Sequence, residues 1–224
     1  MKKDPRYIPA FHFHWLTRWY DPVIRRLFPE EALKSALIAQ ASIQPGHEVL
    51  DMGCGTGTLT LKIKQTHSDA SIYGLDVDPE ILDIARRKAK HAEKTILLQQ
   101  GTATNLPYTN ESFDHVFISL MLHHLPTQDK RRALAEAFRV LRPGGELHVA
   151  DFGKPHDPLM WLISLVVRWA EEVHDNILGL LPVFIADAGF YPVEETACYR
   201  TIFGNAVLYR ACKPLKYSVK PSQL

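Results

Sequence analysis

Residues Glu48 to Thr58 read EVLDMGCGTGT, a short apolar run, an acid at Asp51, and then glycine at positions 53, 55 and 57. An apolar run that closes on a glycine loop predicts a buried strand turning into a helix. Glycine accepts positive φ and carries no side chain to hold a ligand away from the backbone. Working outward, helical and strand patterns alternate. Helices are predicted over Glu30 to Ile43, with Leu33, Leu37 and Ala41 on one face, over about Thr58 to Thr66, over Pro79 to about Ala92, and over Thr127 to Leu141. Asp78 before Pro79 suits an N-cap followed by the first helical position. Strands are predicted at Glu48 to Asp51, at SIYGLDV, ILLQQG and FDHVFISL, and at GELHVADF after an RPGG stop. A helical, apolar stretch follows over 157–188, and then two strand-like runs near Tyr191 to Tyr199 and Ala206 to Cys212. Strands alternating with helices imply an α/β fold with a mostly parallel sheet.

Composition narrows the function classes. With 224 residues, 46% hydrophobic and 23% charged, the chain is long enough for one compact domain with a proper core. A net charge of +1 gives no electrostatic footprint for nucleic acid or an anionic membrane. Cys54, Cys198 and Cys212 are odd in number and lack the spacing of a zinc or redox pair, so a reducing cytoplasm is expected. The apolar run PLMWLISLVV is about half a membrane span, so no transmembrane segment is expected. The N-terminus shows no signal-peptide pattern either.

The loop then asks which nucleotide it would hold. A dinucleotide fingerprint needs glycine at 53, 55 and 58; position 58 is Thr, which disfavours NAD. Asp51 just before the loop would repel a pyrophosphate and suits a cationic ligand end. About 20 residues past the loop, Asp76 ends the second strand, where an acid can accept from both ribose hydroxyls. S-adenosylmethionine, with its ammonium and sulfonium and no phosphate, meets these constraints together.

VLDMGCGTG, LDVDPEIL, NLPYTNESFDHV, LHHL and VLRPGGEL, in this order and spacing, closely resemble the class I S-adenosylmethionine-dependent methyltransferases, in particular the small-molecule branch with the quinone-biosynthesis C-methyltransferases. The resemblance is strongest over residues 30 to 155. It implies a Rossmann-like, doubly wound seven-stranded sheet in order 3-2-1-4-5-7-6 with the last strand antiparallel. The organisation read along the chain is an aromatic extension or lid over 1–29, a methyltransferase domain over 30–214 with a helical insertion at about 157–188, and a tail over 215–224. S-adenosylmethionine would be the cofactor and S-adenosylhomocysteine its product.

By the same resemblance, Gly53, Gly55 and Gly57 would line the methionine part, with Asp51 engaging the ammonium directly or through water. Asp76 would bind the ribose and Val77 would pack on the adenine. Where relatives often place an acid for the adenine amino group, this chain reads Gly101-Thr102-Ala103, a departure that leaves Thr102 as the substitute acceptor. Ser119 and Leu120 would flank the departing methyl.

Methyl transfer from a sulfonium is an in-line displacement that needs alignment and exclusion of water, and no metal is expected. A base helps if the acceptor is a phenol, enol or ring carbon, and His123 or His124 is the candidate, with His14 and Tyr20 reaching in from the aromatic extension. The bland alternative for His123 and His124 is a polar cap on the fourth strand. Tyr7, Phe11, Phe13, Trp15 and Trp19, together with Trp161 and Trp169, suggest a lid over a pocket for a lipophilic or aromatic small molecule; the alternative is an arm that packs permanently or joins a homodimer. Two other function classes stand beside the enzyme: a non-catalytic S-adenosylmethionine-binding partner protein and an NAD-type oxidoreductase.

Overall fold

The structure is a computed structural model and describes residues 30–155, 173–201 and 204–215. The N-terminal extension, most of the helical insertion and the end of the tail lie outside the described residues.

The elements in chain order are α1 (Glu30–Ala39), β1 (Glu48–Met52), α2 (Thr58–Thr66), β2 (Ser71–Asp76), α3 (Pro79–His91), β3 (Leu97–Gln100) and β4 (Phe113–Ser119). After a single 3₁₀ turn (Leu122–His124) come α4 (Thr127–Val140), β5 (Leu141–Phe152), α5 (His174–Ile177), α6 (Leu181–Asp187), β6 (Val193–Thr201) and β7 (Gly204–Cys212). The strands form one sheet in the order β3-β2-β1-β4-β5-β7-β6. β7 runs antiparallel to both its neighbours, and the pairs from β3 to β5 are parallel. This is the expected architecture.

The physical reason is legible in β1. Val49 and Leu50 are both fully buried yet belong to opposite faces, so the strand is covered on both sides, as parallel strands are. On one face Leu50, Met52, Val116, Ile118, Leu147 and Val149 pack with α4 and α6. On the other, Val49, Ile72, Phe117, Ala150 and Leu208 pack with Leu33 and Leu37 of α1 and Leu59 and Ile63 of α2. α3 starts as anticipated: the Asp78 carboxylate accepts from the backbone N–H groups of Glu80 and Ile81, and Pro79 opens the helix.

Two boundaries differ from the sequence reading. α1 ends at Ala39 rather than Ile43, because Gln40 turns its side chain onto the sheet, where its amide donates to the Tyr209 carbonyl. The RPGG run stops α4 but lies inside β5: the register steps from Phe113↔Leu141 to His115↔Glu146, and Gly144, at φ 83, donates to the Lys213 carbonyl. Pairing with the chain after β7 absorbs what local turn chemistry would have made a loop. Among the described residues, no helix is long and apolar enough to cross a membrane.

Candidate functional site

The ends of β1, β2 and β4 bring the glycine loop, Asp76 and Ser119 to the carboxyl edge of the parallel sheet, where ligands bind in open α/β folds. The loop is hung on β2: the N–H groups of Gly53 and Cys54 both donate to the Leu75 carbonyl, at 2.8 and 2.9 Å. All three glycines have positive φ, but they do different work. A Cβ on Gly53 would stand 2.5 Å from the Met121 side chain, and one on Gly57 would stand 2.9 Å from Ala85 of α3. Those two glycines make room for the protein's own packing. A Cβ on Gly55 would meet nothing within 4 Å, so the loop's open side is there.

Asp76 is locked in place. Gly55 N–H donates to one of its carboxylate oxygens at 2.9 Å and Asp78 N–H to the other at 3.0 Å. Each oxygen keeps a second acceptor position, enough for a vicinal diol. Beyond it Val77 is 48% exposed, an apolar side chain only partly covered by the protein. The Gly101 N–H donates to the Asp76 carbonyl at 3.0 Å, so the ends of β2 and β3 are tied and Thr102 stands exposed beside them. The Thr102 hydroxyl lies 3.0 Å from that of Thr104 in a local turn, and Ala103 packs on the core.

Asp51 is enclosed beneath the loop, with Thr60 Oγ1 donating to it at 2.6 Å. Burial raises its pKa to about 6, against the Thr60 hydrogen bond and the Lys34 charge, which act downward. A carboxylate so placed reaches a ligand's ammonium most readily through an intervening polar group. Cys54 is buried and burial pushes its thiol pKa up, which makes it inert.

At the end of β4, Ser119 is half-buried and Leu120 adopts φ 53, left-handed backbone that costs a β- or γ-branched residue about 1 to 3 kcal/mol. Its N–H donates to the Ala150 carbonyl at 2.7 Å, which holds the strained turn against β5. His123 follows on the 3₁₀ turn and is buried, its Nδ1 2.8 Å from Asp151 of β5. Asp151 also accepts from the N–H groups of Leu122 and Phe152, at 2.9 and 2.7 Å, and from the Asn176 side chain at 3.1 Å. Burial raises the Asp151 pKa, but the His123 charge and hydrogen bonds outweigh it, so the carboxyl ionises more readily than usual. The His124 ring centroid lies 4.0 Å from that of His123. Burial of the ring and the His123 charge hold the His124 pKa down at about 4, although the residue is exposed overall.

The structure therefore brings Asp51, Gly53, Gly55, Gly57, Asp76, Val77, Thr102, Ser119 and Leu120 to one edge of the sheet, with His123 and His124 just beyond β4. His14, Tyr20, Trp161 and Trp169 lie outside the described residues. Sequence reasoning missed Asp151, Met121 and Asn176. Only Asp151 left a signal, as an acid at the end of an apolar strand.

Residues 49–145 match the family model of the methyltransferase domain. Over those residues the chain carries a methyltransferase domain, set in a sheet with the strand order of the class I fold. Over 123 residues the domain region is 37% identical to the demethylmenaquinone methyltransferase of Lactobacillus johnsonii, covering 54% of this chain and 50% of that one. Over 156 residues it is 32% identical to the demethylmenaquinone methyltransferase of Symbiobacterium thermophilum, covering 68% of this chain and 59% of the other. The chain thus spans about half the length of the curated relatives it matches. Among solved structures, the YcgJ protein of Bacillus subtilis shares the fold of the methyltransferase domain with a TM-score of 0.69 at 18% identity, covering 82% of this chain and 99% of that one. A putative methyltransferase from Bacillus halodurans does so at 0.68 and 21%, covering 81% and 98%.

S-adenosylmethionine is the cofactor that a class I methyltransferase domain implies, and the residues present fit it. The open space over Gly55, the spare acceptor positions of Asp76 and the half-exposed Val77 offer, in sequence, room for a methionine chain, partners for a ribose and an apolar rest for a base.

Proposed function

We propose that the protein transfers a methyl group from S-adenosylmethionine to a small apolar or aromatic acceptor, a quinol-like ring being the leading class. The observation that carries this reading is Asp76, pinned by the Gly55 N–H between the open glycine loop and the exposed Val77. Two relatives of the domain region are named demethylmenaquinone methyltransferases, which supports a ring acceptor.

The bound cofactor would supply a methyl on a sulfonium, whose C–S bond breaks as the acceptor's nucleophile takes the carbon. The chain's own part is placement. Asp76 would hold the ribose, Asp51 would favour the ammonium from below, and the strained Leu120 turn would fix the wall beside the acceptor. His123, with Nδ1 turned to Asp151, would take a proton from the acceptor, and Asp151 is then a positioning residue.

Turnover of labelled S-adenosylmethionine with a panel of demethylated quinols and phenols tests the reading, with S-adenosylhomocysteine as the product measured. Cofactor binding without any turnover would favour the non-catalytic partner protein, and preferential binding of NADH would defeat both. His123→Asn separates base from anchor, because its amide can still donate to Asp151. Loss of turnover, with the acid limb of the pH profile removed, assigns the base; unchanged turnover means the turn is held and positioning alone suffices.

A further inference from the structure

The face of the sheet under α1 carries, apart from Asp51 beneath the loop, a second group of buried polar side chains. On β5 Glu146 and His148 point to that face, and on β4 His115 sits opposite Glu146 in the register. His148 is fully enclosed and His115 nearly so, with the His148 ring stacked 4.7 Å from Phe117. This cluster lies at the end of the sheet away from the glycine loop, four residues before Ser119 on β4, or about 13 Å along the strand.

We propose that His115, Glu146 and His148 form a binding site for a zinc-type divalent cation. His115 Nδ1 and His148 Nε2 are 3.3 Å apart, and each lies 3.4 Å from Glu146 Oε2. Three donor atoms at the corners of a nearly equilateral triangle are one face of a coordination tetrahedron. With zinc-to-ligand distances of about 2.0 to 2.1 Å, the edge of such a tetrahedron is about 3.3 to 3.4 Å. A hydrogen-bonded trio would instead close to about 2.7 to 3.2 Å. Two imidazoles and one carboxylate suit zinc among the common divalent ions and leave a fourth position for water.

One outer contact already orients its ligand, and another has to change. His115 Nε2 lies 3.1 Å from His47 Nδ1, which already accepts from the Gln44 N–H at 3.1 Å; His115 therefore donates outward and turns the lone pair of Nδ1 to the triangle. His148 Nδ1 lies 3.3 Å from the Gln40 side-chain amide. A neutral ring that binds the cation through Nε2 carries its proton on Nδ1, so binding moves that proton to Nδ1 and requires the Gln40 amide to turn its oxygen toward it. The Ser42 N–H approaches Glu146 Oε2 at 3.4 Å and completes the surroundings. The Glu146 side chain is 17% exposed, which leaves a way in from solvent. A cation here would staple β4 to β5, with the turn between α1 and β1 held to it through the His47 and Ser42 contacts. The proposal is independent of the methyl-transfer reading.

The test uses the full chain, stripped with a chelator and titrated calorimetrically with zinc, and with cobalt for its visible spectrum. One zinc per chain, a raised melting temperature and the intense bands of tetrahedral cobalt are expected. Glu146→Gln, which keeps the side chain's shape, should weaken zinc binding at least about 100-fold and abolish the rise in melting temperature. His115→Leu serves as a second variant should the first perturb β5. Zinc affinity unchanged in both, an octahedral cobalt spectrum, or no stoichiometric binding would each overturn the site.

Discussion

Val77 stands 48% exposed at the end of the sheet where β1 and β2 finish, while His148, which faces His115 and Glu146 toward the other end, is wholly enclosed. The first end keeps its chemistry open. Asp76 spends one acceptor position per oxygen on backbone N–H groups and holds the others in reserve, and Leu120 stays in left-handed backbone held by β5. At the second end the polar atoms turn on one another, His47 to His115, His115 to His148 and His148 to Gln40. The difference teaches that polarity by itself does not mark the reaction site of this fold. What separates the two ends is whether the polar groups retain unspent hydrogen-bonding capacity toward solvent.

The largest expected effect breaks the closed end. His148→Ala removes a fully buried ring from between Phe117 and His115 and should lower stability by about 2 to 4 kcal/mol in denaturant melts, with cofactor affinity per folded molecule unchanged. A fall in affinity as large as the fall in stability would mean the two ends are coupled.

Next comes the open end. Asp76→Ala should weaken binding of S-adenosylhomocysteine by about 1.5 to 3 kcal/mol, or roughly 10-fold to 150-fold, while the melting temperature shifts far less than for His148→Ala. Calorimetry on the folded variant decides it, and unchanged affinity removes Asp76 from the site.

A smaller effect comes from Asp51, whose folded pKa of about 6 lies above its unfolded value of 3.8. The folded state holds the proton more tightly, so this group's contribution to stability rises as pH falls from about 6 toward 3.8 and is lost as pH rises through about 6. A cationic ligand end prefers the ionised form. Cofactor affinity should therefore fall below pH 6 by up to about tenfold per pH unit, with binding releasing a proton. Asp51→Asn should flatten that profile, and a profile that keeps its slope in the variant assigns the titration to another group.

The smallest effect is at Thr102. Its hydroxyl is engaged with Thr104 at 3.0 Å on an exposed turn, so Thr102→Asp should leave cofactor affinity within a few fold or tighten it, a carboxylate being the better acceptor for an amino group. A large loss with the fold intact would place the adenine elsewhere.

Sequence and structure divide along physical lines. EVLDMGCGTGT determined the strand, the loop and the following helix, because a two-sided buried run and positive-φ glycines are local requirements that the backbone itself imposes. Asp78-Pro79 determined the start of α3 for the same reason, since capping acts within one turn. Asp51 and Asp76 were legible because strand ends and the glycine loop fix their distance along the chain. Their states were not: the enclosure of Asp51 comes from α2 through Thr60, and the pinning of Asp76 from Gly55. The packing reasons for Gly53 and Gly57 came from Met121 and Ala85, which are distant in sequence. Asp151 met His123 and Asn176 only when β5 came to rest beside β4 and α5 closed over it. The His115, Glu146 and His148 triangle likewise required the β4–β5 register, because its members are 31 and 33 residues apart from His115 and no local pattern joins them. Local backbone chemistry wrote the scaffold into the sequence; the long-range pairing of strands decided which of its polar groups meet, and which remain open to a ligand.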